Sequence, residues 1–181
     1  VRGVSSDVLA VGFQGESSFN LVSGDLVLRD MSGPLSANTV SGALELERVE
    51  GRLKLNTVSG RIRGRQVTGS IHLDTVSGDL QLSESNLPAV EAESVSGNLT
   101  LHTSLGEGPY RFHTVSGQVQ LTVPPGTSCS AELHSISGRI QTSLPQSSSS
   151  RHAGTQQVEV QGVNRDVAGS SPYEFSEQFK G

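Results

Sequence analysis

Glycines recur every nine residues through the first half of the chain, and this spacing is the strongest constraint on its fold. The series is Gly24, Gly33, Gly42, Gly51, Gly60, Gly69 and Gly78, and it continues at Gly97, Gly117 and Gly138 with steps of 19 to 21 residues. Gly42, Gly60 and Gly78 complete the motif T-V-S-G, whereas Gly33, Gly51 and Gly69 follow M-S, V-E and V-T. The unit is therefore 18 residues long and has two similar halves. A period of this length is typical of architectures in which each repeat stacks on the next.

Apolar residues alternate with polar ones around each glycine, two positions before it and two and four positions after it. Val40, Leu44 and Leu46 follow this pattern around Gly42. Alternation with period two, followed by polar residues, predicts a strand and a tight turn, with the glycine on the inner side. We therefore expect a core ladder made of Val40, Leu44, Leu46, Val58, Ile62, Val76, Leu80, Leu82, Val95, Leu99, Leu101, Val115, Val119, Leu121, Ile136 and Ile140.

The predicted fold is an all-β, single-stranded parallel β-solenoid with 18 to 21 residues per coil and two strand-turn halves in each coil. Equivalent residues recur once per coil, so equivalent strands pair in parallel, and each coil adds about 4.8 Å along the axis. The extra residues of the longer coils, such as E-G-P-Y after Gly106, are expected to form loops.

The repeat divides the chain into three parts. Residues 1–21 look like a degenerate first coil or cap, residues 22–145 carry the solenoid repeats, and residues 146–181 are predicted to be a polar loop plus a C-terminal cap or tail. Solenoid ends need covering because their strand edges are open. Three aromatic residues of the last part are expected to cap the end or contact a partner: Tyr173, Phe175 and Phe179.

Composition limits the classes of partner. The net charge is −5, and 4% of the residues are aromatic, so we expect no nucleic-acid binding. The single cysteine, Cys129, is expected to be a small core thiol. No apolar run reaches the roughly 18 residues that span a bilayer. The chain starts at Val1 without a signal-like segment, so we expect a processed chain or a domain of a longer protein.

The turn column carries the residues that come nearest to a site. Stacking places two asparagines, two carboxylates and two imidazoles in one column: Asn38, Asn56, Asp74, Glu93, His113 and His134. Solvated turn residues explain this column better than a metal site, so we expect no metal. The hydroxyls of the T-V-S-G motif are interpreted as packing beside the turns, since the charged neighbouring face does not suit ice binding. Enzyme motifs are absent, so we expect neither catalytic residues nor a cofactor.

The T-V-S-G-D-L-x-L repeats from about Gly15 to Leu144 resemble a bacterial family of unknown function that carries an adhesin label and consists of β-solenoids built from TVSG and TGSG units. The resemblance implies a non-catalytic structural or interaction module of the bacterial cell envelope or of the cytoplasmic face of the membrane. It supplies no catalytic residues.

Two other functions stay open at this point. The chain is also similar in architecture to bactofilins, which implies a scaffold that assembles through its solenoid ends, although their repeat pattern is not found here. A carbohydrate-acting β-helix enzyme is the third reading, and the few aromatic residues disfavour it. The partner is therefore expected to be an unidentified protein or surface, with self-association through the ends as the alternative.

Overall fold

The computed structural model of the protein describes residues 1–105, 110–122, 128–142, 146–152 and 155–163. These residues form strands and turns and contain no helix. The thirteen strands are β1 (Arg2–Ser5), β2 (Val8–Val11), β3 (Ser17–Ser23), β4 (Leu26–Ser32), β5 (Leu35–Glu50), β6 (Leu53–Ser96), β7 (Leu99–Leu105), β8 (Tyr110–Ser116), β9 (Gln118–Thr122), β10 (Ser128–Ser135), β11 (Arg139–Thr142), β12 (Gln146–His152) and β13 (Thr155–Val163).

Parallel pairing between successive coils confirms the predicted β-solenoid of about seven turns. Strands β3 and β5 pair with Asn20 opposite Asn38, and β5 and β6 pair with Asn38 opposite Asn56, a step of 18 residues each time. In the later coils Glu93 lies opposite His113 and His113 opposite His134, which are steps of 20 and 21 residues. The repeat therefore lengthens without losing its register.

The core lies inside the coils as ladders of aliphatic side chains. The ladder residues that follow the glycines are buried as predicted: Leu44, Leu46, Ile62, Leu80, Leu82, Leu99, Leu101, Val119, Leu121 and Ile140. On the other strand of each coil the ladder mixes large and small residues, and the small Ala92 pairs with the large Phe112. Gly64 replaces a leucine in its ladder, and the Leu82 side chain occupies the space that a Cβ there would need. Complementary volumes keep the stack filled.

The prediction is wrong for the residues that precede the T-V-S-G glycines. Val40, Val58, Val76, Val95, Val115 and Ile136 are 42–49% exposed instead of buried. The inward residues on these strands are Ala37 and Thr39 before Gly42, and Leu44 after it. Thr39 and Leu44 both point inward although they are five positions apart. Strict alternation would place residues an odd number of positions apart on opposite sides, so the alternation reverses once at the corner. The sequence interpretation carried period two straight through the glycine and placed these residues on the wrong side.

The other half of each coil reverses the inward–outward alternation of its side chains at a different position. Arg48 adopts a positive φ of 52° between the buried residues Leu46 and Val49. The alternation therefore switches before Val49, and this valine lies inside. The positive φ recurs at 18-residue intervals, at Asp30, Arg48, Gln66 and Glu84. Two corners of different construction thus distinguish halves that look alike in the sequence.

The glycines of neighbouring coils lie directly on one another. A Cβ on Gly60 would overlap the carbonyl oxygen of Gly42, and the same relation joins Gly42 to Gly24. The contact runs along the solenoid axis, toward the preceding coil, rather than across the core. Glycine is needed at this corner because the backbones of two coils approach too closely for any side chain.

The two ends of the solenoid differ. Residues of the predicted first coil form β1 and β2, which pair in parallel with β3 and β4. At the other end β13 pairs antiparallel with β10, and β12 pairs antiparallel with β13. The prediction of a polar loop is therefore wrong for Gln146–His152, because the backbone of this serine-rich segment pairs with β13. Cys129 lies on β10, but its side chain falls outside the described part, as do Tyr173, Phe175, Phe179 and residues 107–109 of the predicted E-G-P-Y loop. The prediction is wrong for the last residue of that loop, because Tyr110 begins β8 and is buried.

The glycine stack predicts which of two substitutions costs more stability. Gly60 does not have a positive φ but has no room for a Cβ, whereas Gly15 has a φ of 96° and open space around it. We expect Gly60→Ala to lower the free energy of unfolding by more than about 2 kcal/mol, and Gly15→Ala by about 1 kcal/mol. Thermal unfolding followed by circular dichroism measures both. Equal losses would show that backbone conformation, and not stacking, requires the repeat glycines.

The buried hydroxyls under the corners give a second stability prediction. No described group bonds the hydroxyl of Thr57, whereas Ser135 Oγ accepts a hydrogen bond of 2.9 Å from the N–H of Gly138. Both residues are at least 95% buried. We expect Thr57→Val to raise the free energy of unfolding by roughly 1 kcal/mol, and Ser135→Ala to lower it by about 1–2 kcal/mol. Urea unfolding of the two variants tests this, and a destabilised Thr57→Val would contradict it.

Candidate functional site

An exposed column of aliphatic side chains runs along one side of the solenoid. Each coil contributes one residue, and the eight members are Val4, Val22, Val40, Val58, Val76, Val95, Val115 and Ile136. Seven of them are between 42% and 49% exposed, and Val4 is 71% exposed. The eight residues span seven steps, or about 34 Å at about 4.8 Å per step. We call this feature the valine column.

The T-V-S-G motif holds the valine column in place. The serine hydroxyl of each motif donates a hydrogen bond to the carbonyl oxygen of the column residue one coil earlier. Ser59 Oγ donates to Val40 O at 3.3 Å, and Ser77 Oγ donates to Val58 O at 3.4 Å. The same bond recurs from Ser41, Ser96, Ser116 and Ser137. The corner carbonyls therefore have partners, and the side chains above them keep a regular spacing.

A polar column faces the valine column from two positions earlier on the same strands. Its members are Asn20, Asn38, Asn56, Asp74, Glu93, His113 and His134. The asparagines form a ladder in which Asn38 Nδ2 donates to Asn20 Oδ1 at 2.8 Å and Asn56 Nδ2 donates to Asn38 Oδ1 at 2.6 Å. These three asparagines are therefore bonded to one another up the stack. We call this second feature the polar column.

Buried hydroxyl residues lie between the two columns and close the bottom of a groove. They are Thr39, Thr57, Thr75, Ser94, Thr114 and Ser135. The groove has a volume of about 1030 Å³ and extends from Arg2 to Ile136. Because these threonines and serines are buried, they do not form an exposed hydroxyl array. The result agrees with their interpretation as packing residues.

The polar column changes in character along the groove. After the asparagine ladder come Asp74 and Glu93, followed by His113 and His134, whose ring centroids are 5.5 Å apart. Asp74 Oδ2 lies 3.3 Å from His72 Nε2, and no described residue forms an ion pair with Glu93. Among the described residues no three of His, Cys, Asp or Glu are placed to hold a metal ion. This part of the groove is therefore an acidic wall with one unpaired carboxylate.

Several of the charges outside the polar column pair with one another between neighbouring coils. Arg48 Nε is 2.6 Å from Asp30 Oδ1, and the hydrogen bond lowers the pKa of the Asp30 carboxyl below its usual value. Arg65 lies 3.5 Å from Glu84. Arg48, Arg63 and Arg65 are thus each paired with a carboxylate of a neighbouring coil.

The groove is the feature that the sequence interpretation missed. It treated the valines as core and the polar column as solvated turns, so the two walls were not brought together. Ala37 was the available signal, because this apolar residue lies five positions before Gly42. Alternation that starts from Ala37 places Thr39 inside and Val40 outside, as the structure does.

The described part of the chain contains no helix with the length and hydrophobicity of a membrane-spanning segment.

Comparison with known proteins identifies one family. The sequence profile of Toastrack DUF4097 matches residues 19–168, which is well over half of the chain and includes both walls of the groove from Asn20 onward. No curated protein matches significantly, and neither does any solved structure. The chain belongs to the Toastrack DUF4097 family, a repeat-type β-solenoid family of unknown function.

Proposed function

We propose that this domain is a non-catalytic binding module of the bacterial cell envelope, and that it holds a protein partner along the groove between the valine column and the polar column. The observation that carries the proposal is the valine column itself. Eight aliphatic residues in one unbroken line are kept at the surface although each coil has an interior ladder that takes the same residue types. An apolar stripe of this length, rimmed by polar residues, is typical of an interaction site.

The scaffold alternative receives less support from the ends. Assembly of solenoids end to end requires a free strand edge that continues the parallel stack. At the C-terminal end the edge of β10 is occupied by the antiparallel strand β13. A second solenoid therefore cannot continue the stack from β10 while this pairing persists.

The carbohydrate-enzyme alternative also fits the groove less well. Polysaccharide-binding grooves present aromatic platforms to sugar rings, and the described residues that line this groove include no Phe, Tyr or Trp. Its largest contact surface is aliphatic, which favours the apolar side chains of a protein partner over a hydroxyl-rich sugar chain.

A position-specific crosslinking experiment tests the proposal. A photo-reactive phenylalanine analogue replaces Val95 in the groove or, as control, Gln81, which is exposed on another face of the solenoid. In living cells of the bacterium that encodes the chain, we expect a discrete protein adduct from position 95 and none from position 81. The adduct should sediment with the cell envelope.

A second pair of variants tests whether the aliphatic wall is what binds. Val58→Lys combined with Val76→Lys should abolish the adduct from position 95, because two charges interrupt the apolar line. Thr68→Lys combined with Gln81→Lys adds the same charge on exposed positions outside the groove and should leave it intact. Neither pair should change stability by more than about 1 kcal/mol, since all four residues are exposed. Adducts that arise equally from positions 81 and 95, or that join only copies of this chain, would refute the proposal.

A further inference from the structure

We infer that the partner segment in the groove is a single amphipathic α-helix, lying along the solenoid axis with its aliphatic face on the valine column and a basic side chain against Asp74 and Glu93. The inference rests on the proposed function and names the chemistry of its partner. Four observations on the groove lead to it.

The first observation concerns backbone hydrogen bonds. The groove is formed by strands whose edges are already paired with the coils before and after them, as β5 is with β3 and β6. The corner carbonyls are bonded to serine hydroxyls, and the asparagine amides are bonded to one another. The groove therefore offers few backbone partners to an extended peptide. A helix satisfies its own backbone groups and does not need them.

The second observation is the spacing of the valine column. An extended chain along the axis repeats its side chains on one face every 6.6–6.8 Å, against about 4.8 Å between column residues. After about three of its repeats, the side chains of an extended chain are displaced by a full step of about 4.8 Å relative to the column residues. A helix presents one turn every 5.4 Å, and its mismatch over the whole column is about one step. The column of about 34 Å corresponds to a helix of roughly 22 residues.

The third observation is the width of the groove, which disfavours a second copy of the chain. The two columns arise from residues two apart on a strand, so the footprint is about 34 Å by 10 Å. Two copies joined through this footprint would bury roughly 700 Å², below the roughly 1,000 Å² expected of a stable interface. A helix is 10–12 Å across with its side chains, which matches the width of this footprint, and a contact of this size suits the weak binding of a single segment better than a stable dimer.

The fourth observation is charge. The polar column has no net charge along its asparagines but carries two neighbouring carboxylates at Asp74 and Glu93. Glu93 is exposed and has no ion-pair partner among the described residues. A lysine or arginine beside the aliphatic stripe of the helix would supply one, and the pair would set the register of the helix along the groove.

Designed peptides test the inference on the full chain. The probe is a fluorescently labelled 22-residue helix with leucines at i, i+4, i+7 and i+11 and lysines on one flank of that stripe. Two control peptides have the same composition, one with leucines alternating as in a strand and one scrambled. Fluorescence anisotropy should show that the helix binds with a Kd on the order of 10 µM and that both controls bind at least tenfold more weakly.

Variants of the protein identify the contacts. Val58→Lys with Val76→Lys should weaken helix binding at least tenfold, and Thr68→Lys with Gln81→Lys should not change it. Glu93→Gln should weaken the lysine peptide three- to tenfold and leave a peptide with glutamine in place of lysine unchanged. The loss should shrink as salt is raised. A lysine peptide that binds Glu93→Gln and wild type equally would overturn the charged contact.

Two outcomes would overturn the inference as a whole. One is tighter binding of the strand-patterned peptide, and the other is no binding of the helix below about 1 mM. If position 95 still yields a protein adduct in cells while the helical peptide does not bind, the binding module stands and only the helix is excluded. If light scattering shows dimers that the valine-to-lysine pair dissolves, the occupant is a second copy of the chain.

Discussion

The backbone hydrogen bonds between residues one coil apart govern the rest of this structure. They bring equivalent residues to about 4.8 Å from one another, and every column follows from that distance. The leucine ladders of the core, the stacked glycines and the two walls of the groove are all consequences of one register. Because a single coil buries little on its own, none of these columns exists without the stack.

Each letter of the T-V-S-G motif has a separate physical role in this arrangement. The threonine turns inward under the corner, the valine faces the groove, the serine bonds the carbonyl of the preceding coil, and the glycine permits two backbones to touch. Three of these roles concern the stability of the corner. The valine is the exception, because its side chain lies outside the core and about half of it is exposed, and the proposed binding function rests on it.

The sequence predicted the architecture and ten of the sixteen expected ladder residues, but not the site. Glycine spacing and alternation are direct consequences of stacking, so the coil length, the parallel pairing and residues such as Leu44 and Leu80 followed from them. The direction of Val58 did not follow, since within the T-V-S-G motif itself the residue types do not mark the point at which the corner reverses the alternation. Thr57 and Val58 are both β-branched, and either would suit a strand interior. The strand Gln146–His152 was missed for a related reason, because backbone pairing with β13 needs no apolar pattern.

The chain length of the repeat also sets how this surface can change over evolutionary time. Duplication or deletion of one 18-residue unit would lengthen or shorten the groove by one step while leaving every other coil in its own environment. Substitution at the position of Asp74 or Glu93 changes one point on the polar column without touching the buried ladders. The length of the groove and its pattern of charges are therefore separable traits. The spacing of contacts along such a surface is fixed by the backbone, whereas the residue at each contact can change independently of the others.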